Sequence, residues 1–198
     1  MHSIRPISRA LRAAALFAFG STSLAAQEFP PSCNMCSATY IPAAELQQFL
    51  TIPQIDQQVR SLDIGKVNVQ VAIVHRGRQE QAGAVAEHSL VSEIYYIISG
   101  SGTNVLGPEL IDAVPRPPTN NAVMRLNGPG HNAAAIRNGE TVELRVGDVL
   151  VIPAGTGHQF TRIDDHITYL MIRVDPDKVV PLMNAEDARR YLEEQRRE

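Results

Sequence analysis

The 198-residue chain has no tryptophan, and aromatic residues make up only 5% of it. Its interior must therefore be filled mainly by Val, Ile, Leu and Ala. Cysteine is nearly absent too, with only Cys33 and Cys36. A four-ligand structural zinc would want more ligands than this pair offers. A thioredoxin-like Cys-x-x-Cys would need a βαβ context, and none follows. Haem attachment needs His after the second Cys, where Ser37 stands. What remains is a local disulfide, formed in an oxidising compartment. Its four-residue loop would add little stability.

Acidic residues are missing from residues 1–26, which carry Arg5, Arg9 and Arg12 followed by the apolar stretch Ala13-Ala14-Ala15-Leu16-Phe17-Ala18-Phe19. That stretch is well short of the roughly 20 residues a bilayer span needs. A basic start, a short apolar middle and a small-residue exit through Ala25-Ala26 are the parts of a secretory signal peptide. The expectation is cleavage after Ala25 or Ala26, export to the periplasm or beyond, and no stable membrane insertion afterwards. Losing the three arginines takes the net charge from −3 to −6. A mildly acidic mature chain argues against nucleic acid as a partner, since that binding leans on clustered Lys and Arg.

The remaining residues suffice for one domain. Residues 27–62 read as an extension with two short helices, one led by Pro42 and one over 54–62. From Val67 the pattern switches to period 2, with Val67, Val69, Val71, Ile73 and His75 taken as the inward face. Strand signals then recur. Glu93 to Ser99 ends at Gly100-Ser101-Gly102, with Thr103 to Leu106 as the return strand. Residues 107–121 carry four prolines and read as an ordered excursion or lid. Asn138-Gly139 marks a hairpin, and Val149–Ile152, 158–162 and 167–174 complete the series. In the C-terminal segment 181–198, Asn184 caps a charged helix that runs through about Arg196. Many short strands between Gly and Pro turns predict an all-β sandwich or small barrel over 63–180.

Two segments carry the chemistry. In His88-Ser-Leu-Val-Ser-Glu93-Ile-Tyr-Tyr-Ile-Ile-Ser-Gly100, Glu93 and Tyr95 share a face. If that face is interior, the carboxylate must be paired, hydrogen-bonded or metal-bound; Arg76 and Arg162 are candidate ion-pair partners. In Gly147-Asp-Val-Leu-Val-Ile-Pro153-Ala-Gly155-Thr-Gly-His158, a Pro-x-Gly turn throws the chain into a strand opened by His158. Two histidines and one carboxylate would hold one divalent metal with positions left open. Such a set suits Fe(II), the favoured ion, and also Mn, Ni or Zn. Tyr95 is the candidate catalytic residue, as a proton donor or a positioner of substrate.

The second segment resembles the cupin motif G-x5-P-x-G-x2-H-x3-N, matching at Gly147, Pro153, Gly155 and His158, with Arg162 in place of the final Asn. The first resembles G-x5-H-x-H-x3,4-E-x6-G at His88, Glu93 and Gly100. Ala86 stands where its first His belongs, and Glu80 where its first Gly belongs. The resemblance implies a single-domain cupin, a double-stranded β-helix or jelly-roll barrel, with a His3Glu site lacking one ligand. His75 is the better substitute and His131, on a loop, the other. The family includes dioxygenases, isomerases, lyases and decarboxylases. The expectation is a metal enzyme acting on a small organic molecule, oxygenase-like in chemistry. The alternatives are a non-redox isomerase or lyase, and a non-catalytic binding or storage protein. Pairing through sheet edges makes a homodimer the expected assembly.

Overall fold

The computed structural model describes residues 30–33 and 36–197; the expected signal peptide over 1–26 lies outside the described residues. Two helices, α1 (Ala43–Phe49) and α2 (Ala185–Gln195), flank twelve strands: β1 (Asp56–Asp63), β2 (Asn68–Arg76), β3 (Val85–His88), β4 (Ser92–Gly107), β5 (Glu109–Ile111), β6 (Val114–Pro115), β7 (Gly130–Ala133), β8 (Ala135–Arg137), β9 (Glu140–Arg145), β10 (Val149–Ile152), β11 (Gly157–Arg162) and β12 (Ile167–Asp175). Cys33 and Cys36 are joined as a disulfide.

The long strand β4 organises the fold. Its first half pairs with β12 and β10, and its second half with β9 and β11. One sheet therefore runs β1-β2-β12-β4-β10, and the other β9-β4-β11-β3-β7-β6. All pairings are antiparallel. The passage from one sheet to the other falls at Gly100, whose φ of +71° places it in the left-handed region that glycine tolerates. The register against β12 slips just before it, and such an irregularity bends a strand. Gly100-Ser101-Gly102 is thus a bend within one sixteen-residue strand, not the hairpin turn expected. The hydrogen-bonded path is open, ending at β1 and β6. The barrel is two facing sheets that share β4.

Between the sheets lie Ala72, Val74, Tyr95, Ile97, Leu144, Ile152, Phe160, Ile163, Ile167, Tyr169 and Met171. Each fully buried large aliphatic here contributes roughly 1.5–3 kcal/mol. A second cluster, Phe49, Ile52, Val59, Ile73, Ala188 and Leu192, seats α1 and α2 on the outer face of β1 and β2. The cap of α2 is as expected: Asn184 accepts from the Glu186 and Asp187 amides, and the Asp187 carboxylate accepts from the Asn184 amide.

Several expectations are corrected. Residues 56–62 belong to β1 instead of a second helix, because they pair with β2 from Asp56 to Asp63 with a bulge at Val59. The inward face of β2 is Asn68, Gln70, Ala72 and Val74, the opposite of the sequence reading. Both faces of β2 are buried, one by the facing sheet and one by the helices, so period 2 alone could not say which faces inward. Asn138-Gly139 does turn the chain, with Asn138 at φ +51°, but β8 pairs with β5 and β9 with β4. The excursion over 107–121 is ordered by β5 and β6, and continues into a π-helical turn, Ala122–Asn127.

Candidate metal centre

His88, Glu93 and His158 converge from three strands. His88 ends β3, Glu93 is the second residue of β4, and His158 is the second residue of β11. The two motif segments are laced together by their backbones. Ile152 lies opposite Glu93, the Gly155 amide donates to the His88 carbonyl at 2.8 Å, and the Ala154 amide donates to Ser92 Oγ at 3.0 Å. Gly155 has φ +81°, which is why the Pro-x-Gly turn requires glycine there. That lacing brings one ligand atom from each residue within 4.8 Å of the others.

The three side chains face one another. His88 Nε2 lies 3.4 Å from Glu93 Oε1, and His158 Nε2 lies 3.6 Å from Glu93 Oε2. The His88 and His158 rings are 5.1 Å apart. His158 Nδ1 lies 3.2 Å from the Thr156 carbonyl. A carbonyl only accepts, so Nδ1 donates and Nε2 is the nitrogen that faces Glu93. A histidine that ligates through Nε2 is anchored in this way by its Nδ1–H. All three residues are buried. Burial pushes the His88 imidazole down to about 3, so it is neutral at neutral pH.

Glu93 is charged. Burial works to raise its carboxyl, but His88, the Arg173 guanidinium, His158 and the Tyr95 hydroxyl hold it below the ordinary carboxylate range. Arg173 Nε donates to Glu93 Oε1 at 3.1 Å, and its Nη2 donates to Asp56. The Tyr95 hydroxyl donates to Glu93 Oε2 at 2.7 Å. Burial and the adjacent carboxylate push that phenol well up, so it keeps its proton. Tyr95, expected as the catalytic residue, thus has its hydroxyl on Glu93 and its ring stacked on Tyr169 at 4.3 Å.

The other sequence candidates do not join the cluster. His75 is exposed, because it continues the outer face of β2 beyond the helices; its Nδ1 faces Thr168 Oγ1 at 2.8 Å. His131 lies on β7, not on a loop, and its Nδ1 is 2.8 Å from the Glu87 carboxylate on the other face of β3. Neither fills the position left by Ala86. Arg76 lies over the Phe160 ring and donates to Tyr169, while Arg162 pairs with Asp164 at the surface; neither reaches Glu93.

Two residues of the centre escaped the sequence reading. Arg173 belongs to β12, and only the register that sets it opposite Glu93 identifies it. Asn127 ends the π-helical turn and directs Nδ2 to Glu93 Oε1 and to His88 Nε2, each at 3.0 Å. Arg173 has a retrospective signal, since a charged residue interrupts the apolar strand 167–174. Asn127 has none.

The sequence matches no family model, and no curated protein matches it. Among solved structures it is similar to a protein from Bacillus halodurans, with 14% identity and a TM-score of 0.42 over 73% of this chain and 88% of that one. It is similar to a cupin protein from Bacteroides fragilis, with 22% identity and a TM-score of 0.32 over 56% and 68%. A third likeness is to hydroquinone 1,2-dioxygenase from a Sphingomonas species with 4-hydroxybenzoate bound, with 13% identity and a TM-score of 0.36 over 54% and 59%. With every TM-score below 0.5, the chemistry must be argued from the side chains.

Proposed function

From a cupin-type fold of two facing sheets with a His-Glu-His cluster between them, we propose that this chain is an exported mononuclear-metal enzyme acting on a small organic molecule. The observation that carries the reading is the buried convergence of the Glu93 carboxylate with the Nε2 atoms of His88 and His158, at 3.4 and 3.6 Å. Two imidazoles and a carboxylate buried this close together form a ligand set for a divalent cation. The residues fit such an ion: two imidazole nitrogens and one carboxylate leave coordination positions open.

A metal held there would supply Lewis-acid polarisation of a bound oxygen group and, as Fe(II), one-electron chemistry with O2. Iron and oxygenase-like chemistry are the first choice. His88 and His158 would present neutral nitrogens, Glu93 would present the charge, and Tyr95 and Arg173 would keep that carboxylate oriented and ionised. Export rests on the sequence of residues 1–26. No helix among the described residues is long and apolar enough to cross a membrane.

A second reading, a metal-dependent isomerase or lyase, is favoured by one feature. Buried polar groups lie on β1 and β2: Gln58, Ser61 and Gln70, the last opposite Arg173, are buried, and Gln58 Oε1, Ser61 Oγ and both Gln70 amide atoms have no hydrogen-bond partner among the described residues. Such groups suit a hydrophilic substrate better than an aromatic one. We also place the expected homodimer on the outer face of β4 and β10. Tyr96, Ile98, Val149 and Val151 are exposed there, on the half of the sheet that the helices leave bare.

Metal analysis of mature protein from a periplasmic fraction, purified without added metal or chelator, tests the reading. One equivalent of iron, lost on Glu93→Ala, supports the redox enzyme. One equivalent of zinc or manganese moves the assignment to Lewis-acid chemistry. No metal as isolated and none on titration would overturn it.

A further inference from the structure

We propose that Asn127 is the fourth ligand of this centre, turning its amide to present Oδ1 when a metal binds. The proposal rests on the reading that His88, Glu93 and His158 hold a metal ion. Ala86 lies on the same side of β3 as His88 and directly opposite His158, where a methyl group leaves room. Asn127 reaches His88 and Glu93 from a distant segment. It is buried, and its Nδ2 lies 3.0 Å from Glu93 Oε1 and 3.0 Å from His88 Nε2. Without a cation, one amide nitrogen thus serves two acceptors that a metal would claim.

The same contacts change sign when a cation enters. The amide hydrogens would then point at positive charge, while Oδ1 would be a hard oxygen donor at the same distance along the side chain. A half-turn about the Cβ–Cγ bond exchanges the two, because the amide is nearly isosteric end to end. The backbone beneath is fixed, so the exchange needs no movement of the turn. Gly128 follows at φ +66° with Val179 against its α-carbon, and a Cβ on Gly130 would strike the Glu87 carbonyl. The Ser89 amide donates to the Pro129 carbonyl at 2.9 Å. The centre would then be two nitrogens and two oxygens, a set that favours Mn(II) or Fe(II) over softer-ligand ions.

The test is calorimetric titration of Mn(II) and Co(II) into metal-free wild type, Asn127→Asp and Asn127→Leu, with the Co(II) visible spectrum recorded on each. As a ligand, Asn127 requires Leu to weaken binding by about tenfold or more and to alter the Co(II) bands, while Asp binds as tightly as wild type or tighter. If Asn127 only donates a hydrogen bond to Glu93, Asp places like charges together and weakens binding by more than tenfold; that result overturns the proposal. So does Leu binding equal to wild type with unchanged bands. Should Leu fail to fold, the comparison of Asp with wild type decides alone. Wild type that binds neither ion would instead remove the metal reading beneath it.

Discussion

Arg173 Nε donates to Glu93 Oε1 at 3.1 Å, with both side chains almost wholly inside the protein. A buried pair of this kind contributes little when compared with an apolar replacement of both partners, but losing one partner strands the other charge. Arg173→Met should therefore cost about 3–5 kcal/mol of unfolding free energy, read by urea denaturation of the metal-free protein. A loss under about 1 kcal/mol, within the range of an exposed ion pair, would mean Glu93 does not depend on Arg173.

Acid should destabilise the metal-free protein early. The His88 imidazole is pushed from its ordinary 6.5 down to about 3 by burial. Between those values the unfolded chain binds a proton that the folded chain refuses, so stability falls as pH drops below about 6.5. Glu93, held below its ordinary 4.5, adds a loss of the same sign as pH falls through that value. The melting temperature should decline continuously from pH 7 to pH 4, and His88→Asn should remove the upper part of the decline. A flat profile between pH 6.5 and 5 would count against a buried neutral His88.

His75 and His158 separate cleanly by position. His158→Ala should abolish metal uptake, whereas His75→Ala, altering an exposed residue bonded to Thr168, should change metal affinity less than about twofold, under 0.5 kcal/mol. Equilibrium dialysis against Mn(II) reads both. Loss of binding in His75→Ala would mean the centre draws on the outer face of β2.

The bare face of β4 and β10 predicts the assembly. Val151→Lys puts a charge into the exposed cluster with Tyr96, Ile98 and Val149 and should convert a dimer to a monomer by light scattering, with the metal content unchanged. An unaltered mass would exclude this face as the dimer contact.

Local chemistry alone determined much of this protein. The strand series, the cap at Asn184, the Pro-x-Gly turn and the three residues His88, Glu93 and His158 all follow from short-range spacing, because turns and caps are set by a few neighbouring residues. Tertiary structure decided the rest. Residues 56–62 became a strand because β2 offered an edge to pair with. Which side of β2 faces inward depended on α1 and on α2, the latter more than a hundred residues away in the chain, and His75 left the site for that reason. Arg173 meets Glu93 through strand register across 80 residues, and Asn127 reaches the centre from a loop-borne turn. No local pattern encodes a long-range meeting of side chains; it exists only once the two sheets have closed on each other.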